Sequence, residues 1–281
     1  MKKINDYLLY EKEPNTIHPK GRVYVKTFFF NTNNRFKKRL VRVYLPSTYD
    51  FNNPEKRFSV LYMLDGKNLF DDYTSFVGEW GIDEIIESQI EKGLDEGRIV
   101  VGIDAPKTNI ARTLEMTPKG IEPSIKGYDT NSGYAELLGE FIFNDVKNDI
   151  DKTFYTKTDK EHTGVGGSSM GGLMAFYLGR TYPHKVSYAL CFSPAFFLFQ
   201  WESFQKMLEE FYVGGPIPKY YFYVGGVGFE GEFVKATEDT YKYFKSLGYD
   251  DKTVKYVYDP TQEHNEKAWN KHFLDAYLFS K

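Results

Sequence analysis

The stretch GVGGSSMGGLM, Gly164 to Met174, packs five glycines and two adjacent serines into eleven positions, between a β-like segment and an apolar, helix-like one. A phosphate-cradling P-loop would need a Lys-Ser/Thr pair after its glycines, and Met170-Gly171-Gly172-Leu173 stands in that place. A dinucleotide fingerprint would need G-x-G-x-x-G, but Gly164-Val165-Gly166 is followed by Ser169 where the third glycine belongs. Gly167-Ser168-Ser169-Met170-Gly171 does match G-x-S-x-G, in which a serine sits at the apex of a sharp strand-to-helix turn and its neighbours are small because side chains there would collide. Ser169 is then the projecting hydroxyl. The following GLMAFYLGRTYP supplies the helix, with Leu173, Phe176 and Tyr177 at i, i+3 and i+4 and Pro183 just beyond its end. The preceding EHTGV is short and weakly apolar for the strand the motif requires.

Outward from this turn, the chain alternates strand-like and helix-like segments. RVYVKTFFF and KRLVRVYLP flank the polar NTNNRFK, which predicts an antiparallel hairpin over about residues 22 to 45. FSVLYMLDG and RIVVGIDA are continuous apolar runs of the kind that form strands covered on both faces. Between them, Ile82, Ile85, Ile86 and Ile90 form one helical stripe. Residues 105 to 132 carry Pro, Gly, Thr and Asn with little periodicity, so they are expected to be a cleft or lid loop. From Tyr134 to Ile150, apolar positions recur at helical spacing for over four turns. KVSYALCFSP, PKYYFYVGG and KTVKYVYDP are later strands, separated by the helix-like WESFQKMLEEF and GEFVKATEDTYKYFKSLG, and NEKAWNKHFLDAYLF closes the chain. Such alternation predicts an α/β fold with a mostly parallel sheet and helices on both faces. No repeat or linker divides the 281 residues, so one domain is expected, with residues 1–20 as an N-terminal extension.

A serine hydroxyl needs a base to take its proton. His264, in DPTQEHNEKAW, follows the last predicted strand and precedes the last helix, where this architecture puts its histidine. Of the other four, His18 precedes the core strands and His162 lies where its side chain would enter the sheet. His184 reads as a solvated loop residue, and His272 falls inside the last helix. The base in turn needs a carboxylate to fix its tautomer. Glu230, after YYFYVGG, is nearest its strand end; Glu232 and Asp259 are the alternatives. An oxyanion hole needs two backbone N–H donors. Met170, after the serine, is one. Lys67, in LDGKNLFDD, is the candidate for the other, with Asn68 in reserve.

Forty-one per cent hydrophobic residues can fill a substantial core, and a net charge of −3 gives no electrostatic pull toward nucleic acid or a membrane surface. The single cysteine, Cys191, cannot form an internal disulfide and sits in an apolar run, as a core thiol of a protein from a reducing compartment would. No signal-peptide core or membrane-length apolar run is present, so a cytoplasmic location is expected. Metal hydrolysis is disfavoured: HExxH is absent, and His264 and His272 are eight residues apart, wrong for ligands on one helix face. No cofactor is expected.

Together, LYMLDGKNLFDD, IVVGID, TLEMTP, GVGGSSMGGLMAFYLGRTYP, FSPAF and EHNEKAWNKHF resemble the putative-esterase family of the α/β-hydrolases, which includes feruloyl esterases, siderophore esterases, S-formylglutathione hydrolases and mycolyltransferases. The resemblance spans about residues 22 to 279. It implies an α/β-hydrolase fold, a nucleophile at Ser169 and a base at His264, while the family's acid varies. It also implies that Ser193 and Pro194 of FSPAF border the pocket and that the TLEMTP loop covers it. The cysteine-bearing loop of the formylglutathione group has no counterpart here, and mycolyltransferases are secreted. Aromatic residues make up 18% of the chain, and Trp80 and Trp201 fall near expected cleft loops. A ring-rich core gives the same composition, but an aromatic or sugar-linked ester, of hydroxycinnamoyl or catechol type, is the expected substrate. The rival function is a non-catalytic binding protein that retains the hydrolase fold. Nothing in the chain specifies an oligomeric state.

Overall fold

The computed structural model describes residues 3–11, 20–32, 35–211 and 217–281; His18 and the hairpin-turn residues 33–34 lie outside them. In chain order the strands are β1 (Lys3–Ile4), β2 (Tyr7–Leu9), β3 (Arg22–Thr32), β4 (Arg35–Leu45), β5 (Val60–Leu64), β6 (Ile99–Ile103), β7 (Thr163–Ser168), β8 (Tyr188–Phe192), β9 (Lys219–Gly225) and β10 (Val254–Asp259). The helices are α1 (Ile82–Glu91), α2 (Asn109–Met116), α3 (Ala135–Glu140), α4 (Lys147–Thr153), α5 (Met170–Thr181), α6 (Trp201–Phe211), α7 (Gly231–Ser246) and α8 (Glu266–Phe279). The chain packs as two compact units, each assembled from segments distant in sequence. One comprises Met1–Ala105, Glu140–Thr163 and Asn265–Leu274; the other comprises Pro106–Gly139, Gly164–His264 and Asp275–Lys281.

In the first unit β3 and β4 form the expected hairpin, paired antiparallel from Arg22 opposite Leu45 to Thr32 opposite Arg35. β4 continues antiparallel onto β6, and β6 pairs parallel with β5. Every residue of β5 and β6 is buried, which is why both read as unbroken apolar runs. Residues 3–11 of the N-terminal extension are a structured part of this unit. β2 pairs antiparallel with both β1 and β3, and Tyr7 is fully buried with its hydroxyl donating to Asp149 Oδ2 at 2.7 Å. These strands escape sequence reading because two and three residues are too few to show a period. Along α1, Ile82 and Ile86 are buried while Ile85 and Ile90 are half-buried. At the end of β6, Asp104 is clamped by Arg42 through Nε at 2.8 Å and Nη2 at 3.1 Å. Burial pushes this carboxyl above its ordinary range, more than Arg42 pulls it down. Trp80 is a core residue, contrary to the cleft expected for it. It is 2% exposed, its ring lies 5.5 Å from Trp269, and its carbonyl accepts from Asn270 Nδ2.

In the second unit β7, β8, β9 and β10 are parallel neighbours in that order. β7 is wholly buried although its sequence is weakly apolar. Its glycines explain this: a Cβ on Gly164 would lie 2.0 Å from the Tyr188 ring, so the neighbouring strand fills the space a side chain would occupy. α5 behind it is buried on all sides from Met170 to Arg180, and its end at Thr181 comes just before Pro183. Residues 105 to 132 are not a structureless loop. They contain α2, whose N-cap Thr108 accepts from the Ala111 N–H at 3.3 Å and whose last turn buries Glu115 and Met116. Eight residues give little more than two turns, too few for the apolar spacing to stand out from the Pro, Gly and Thr around them. Of the helix expected from Tyr134, this unit holds α3; the first unit holds the π-helical stretch Phe141–Val146, which buries Phe141, Ile142, Phe143 and Val146, and α4.

Candidate active site

β7 ends at Ser168 and α5 begins at Met170, leaving Ser169 alone at the junction with φ 58° and ψ −121°. An L-residue held there costs on the order of 1–3 kcal/mol and persists only where its surroundings over-determine it. Those surroundings are visible. The Ser169 N–H donates to the Phe192 carbonyl at 2.9 Å, and its carbonyl accepts from Leu173 at 3.0 Å and Ala195 at 3.2 Å. A Cβ on Gly167 would stand 2.6 Å from the Gly171 carbonyl carbon, and one on Gly172 would stand 2.7 Å from the Phe192 oxygen. Glycine at both positions therefore lets strand, helix and the end of β8 converge on the turn. Ser168 is buried and Ser169 half-exposed, so Ser169 is the hydroxyl presented outward. The Met170 N–H belongs to the first turn of α5, where backbone donors have no intrahelical acceptor and point out along the helix axis.

Two strands away, the chain leaves β9 through Gly225-Gly226 and a 3-10 turn, Gly228–Glu230, then enters α7. Gly228 has φ 61°, a reversal that glycine makes without strain. The turn carries Glu230 inward to zero exposure. A carboxylate so buried needs donors on its oxygens. Oε1 accepts from the Gly225 N–H at 2.7 Å and from the Ser193 hydroxyl, and Oε2 is hydrogen-bonded to Nδ1 of His264. His264 reaches this point because the turn after β10 lies directly on the end of β9. The Gly226 and Val227 N–H groups donate to the Gln262 carbonyl at 3.1 and 3.0 Å, and a Cβ on Gly225 would come within 2.5 Å of that same oxygen. The imidazole packs against two neighbouring rings: Phe233 at 4.4 Å with its plane close to that of the imidazole, and Phe229 edge-on at 5.5 Å. Burial and the charges of Glu230 and Asp259 together raise the Tyr223 hydroxyl well above its ordinary range.

The structure thus brings Glu230 and His264 into direct contact. Ser169 joins them through β8, with its backbone bonded to Phe192 and Ala195 on either side of the Ser193 that touches Glu230; no direct Ser169–His264 hydrogen bond is among these contacts. The alternative acids are engaged or exposed elsewhere. Glu232 is exposed in the first turn of α7, and Asp259 Oδ1 accepts from the Thr261 N–H and hydroxyl. His162 precedes β7 instead of entering the sheet, in a 3-10 turn where its Nδ1 pairs with Asp159 at 2.6 Å. His184 is exposed, and His272 lies within α8. Lys67 belongs to the first unit, in the 3-10 turn Gly66–Asn68, with its carbonyl accepting from the Thr74 hydroxyl at 2.6 Å. The N–H of Asn68, the reserve donor, is given to the Asp65 carbonyl at 2.9 Å. Among the described residues, the group whose carboxylate oxygens lie close enough to share a cation is Glu79, Asp83 and Glu84 in the first unit. Two of these open α1, where acidic side chains ordinarily complement the helix dipole.

Ser193, Phe229 and Phe233 are the neighbours of the pair that residue-by-residue reading missed. FSPAF marked Ser193 only as a border of the pocket. Its link to Glu230, 37 positions on, carries no local signal.

A family model described as "Putative esterase" matches residues 34–217, more than half of the chain. The chain belongs to this family. It is a carboxylic ester hydrolase, and the matched region spans Ser169 but ends before Glu230 and His264. Solved structures share the esterase's fold, a mixed α/β sheet with helices on both sides. The feruloyl esterase module from Clostridium thermocellum, complexed with sinapinate, superposes with a TM-score of 0.65 at 18% identity, covering 99% of this chain and 95% of that one. A siderophore hydrolase from Aspergillus nidulans gives 0.67 at 16% identity over 92% of this chain and 95% of its own. The enterobactin esterase from Shigella flexneri, solved in the presence of enterobactin, gives 0.67 at 13% identity over 96% of this esterase and 60% of its own chain. No helix among the described residues is long and apolar enough to cross a membrane.

Proposed function

We propose that the esterase works through a serine acyl-enzyme, with Ser169 as nucleophile, His264 as general base and acid, and Glu230 as the carboxylate that orients the imidazole. The main support is the conformation of Ser169, a non-glycine residue held at φ 58° between a buried strand and a helix N-terminus. With Nδ1 engaged by Glu230, Nε2 is the ring nitrogen that takes the Ser169 proton as Oγ attacks the ester carbonyl. The Met170 N–H donates to the oxyanion as it forms, in the first turn of α5 where the helix dipole favours negative charge. When the tetrahedral intermediate collapses, Nε2 returns the proton to the departing alcohol. His264 then draws a proton from water, whose oxygen attacks the acyl carbonyl and releases the acid and the free serine.

The substrate we infer is an ester with an aromatic acyl or alcohol part, of hydroxycinnamoyl or catechol-siderophore type. Phe229, 61% exposed beside His264, offers a ring to such a group, and the compounds named with two of the superposed esterases, sinapinate and enterobactin, carry such aromatic groups. A cytoplasmic setting is part of the same proposal: the one cysteine, Cys191, is buried as a thiol and calls for no oxidising compartment. Purified Ser169→Ala, with an unchanged circular-dichroism spectrum and melting curve, should lose turnover of p-nitrophenyl acetate to background. Turnover at the wild-type rate would overturn the assignment.

A further inference from the structure

Ser193 directly follows β8 with φ 43°, one of four non-glycine residues with positive φ among those described. A left-handed position at a strand end is one that glycine fills without steric cost, whereas serine is disfavoured there. Ser193 is also fully buried, so its hydroxyl has left water and needs a partner. It has one: Oγ donates to Glu230 Oε1, the oxygen that also accepts from the Gly225 N–H, while the other oxygen, Oε2, faces His264. The Ser193 N–H donates to the Tyr223 carbonyl at 2.6 Å, which fixes the turn against β9, the strand whose end carries Glu230. The same turn holds the nucleophile, since Phe192 and Ala195 on either side of Ser193 bond the backbone of Ser169.

We propose that Ser193 is a positioning residue: its hydroxyl pins one oxygen of Glu230 so that the other stays aimed at Nδ1 of His264, and its backbone couples that aim to the turn that holds Ser169. The assignment rests on the serine mechanism proposed above. The carboxylate of Glu230 has two directions to hold. Without Ser193, the Gly225 N–H is the one donor that holds Oε1, and the carboxylate can turn together with the imidazole bonded to Oε2. With Ser193 Oγ as a second donor on the same oxygen, the carboxylate plane is fixed. A serine at a left-handed strand end is the consequence, because glycine suits the backbone but lacks the hydroxyl.

Two substitutions separate the hydroxyl from the backbone. Ser193→Gly removes the hydroxyl and relieves the left-handed strain; Ser193→Ala removes the hydroxyl and keeps the Cβ. Both should lower kcat on p-nitrophenyl acetate by about ten- to a hundredfold, the worth of one hydrogen bond to a charged group, with KM nearly unchanged. The melting temperature of Ser193→Gly should equal or exceed that of Ser193→Ala, so activity follows the hydroxyl while stability follows the Cβ. A second readout needs no turnover. The low-field proton resonance of the Glu230–His264 hydrogen bond, assigned by its loss in His264→Ala, should shift or broaden in both variants. Wild-type kcat in Ser193→Gly, or an unmoved resonance, overturns the proposal. Failure of the underlying mechanism looks different: Ser169→Ala or His264→Ala would then keep wild-type turnover whatever Ser193 does.

Discussion

Replacing Glu230 by glutamine keeps the shape of the side chain and removes one of its two acceptors. In the wild type both oxygens accept, Oε1 from Gly225 and Ser193 and Oε2 on the side of His264 Nδ1. The amide can meet only one of these demands. If its oxygen stays with Gly225 and Ser193, its NH₂ points at Nδ1, and the imidazole must carry its proton on Nε2, the nitrogen that has to accept one from Ser169. If the amide flips, its NH₂ opposes the Gly225 N–H in a site with zero exposure, and only the rotatable Ser193 hydroxyl can adapt. Gly225 and Ser193 together favour the first arrangement, which holds the wrong tautomer. Loss of the orienting carboxylate in such a triad costs about 10⁴ in kcat, equivalent to ~5 kcal/mol of transition-state stabilisation. Folding should suffer less, by about 1–3 kcal/mol, because one charge-assisted hydrogen bond is weakened in an otherwise filled space. The assay is kcat/KM on p-nitrophenyl acetate beside urea denaturation of the same preparation. Glu232→Gln and Asp259→Asn, run in parallel, should stay within about twofold of wild type, since Glu232 is exposed and Asp259 Oδ1 is engaged by Thr261. If Glu230→Gln kept activity within tenfold while either control collapsed, the acid would be elsewhere and the tautomer argument would fall.

Gly167→Ala puts a methyl 2.6 Å from the backbone of Gly171, where nothing can rotate aside; it should cost about 1–3 kcal/mol in denaturation experiments and disturb turnover with it. A variant as stable and active as wild type would mean that the strand-to-helix turn at Ser169 tolerates spreading. Arg42→Met strips both guanidinium hydrogen bonds from the Asp104 carboxylate, which is only 16% exposed, so a loss of about 2–4 kcal/mol is expected in the unfolding free energy; a loss below 1 kcal/mol would show that water replaces the guanidinium. Phe229→Ala removes a ring that is 61% exposed, so melting should be unchanged. KM for a feruloyl ester should rise several-fold while KM for the acetyl ester stays put, and equal changes for both would remove Phe229 from substrate recognition.

The strand-to-helix turn at Ser169 was legible because its constraint is local. Strand end, serine and helix start occupy one short run, and the glycines that permit close approach lie within three residues of Ser169. The alternation of buried strands and helices was legible for the same reason, since each run is long enough to show its period. What escaped depends on length or on distance. β1, β2 and α2 are too short for periodicity to separate them from turns, and they take their structure from neighbours: Tyr7 from Asp149, α2 from its Thr108 cap. Trp80 read as a cleft residue because composition cannot tell an exposed ring from one stacked on Trp269. Sequence could order Glu230, Glu232 and Asp259 only by nearness to a strand end. What distinguishes them in space is the 3-10 turn after Gly228, which rotates Glu230 inward while Glu232, two residues on, faces solvent. The Ser193 contact had no signature at all, because a left-handed φ is invisible in the letters and its partner lies on another strand's exit.

A fluorophosphonate probe followed by peptide mass spectrometry reads the nucleophile itself, because the reagent reacts far faster with a serine whose proton is taken as it attacks than with an ordinary hydroxyl. One adduct is expected, on the peptide carrying Ser169, formed far more slowly in His264→Ala and absent in Ser169→Ala. An adduct on any other residue, or an unlabelled protein that still hydrolyses esters, would contradict the serine mechanism.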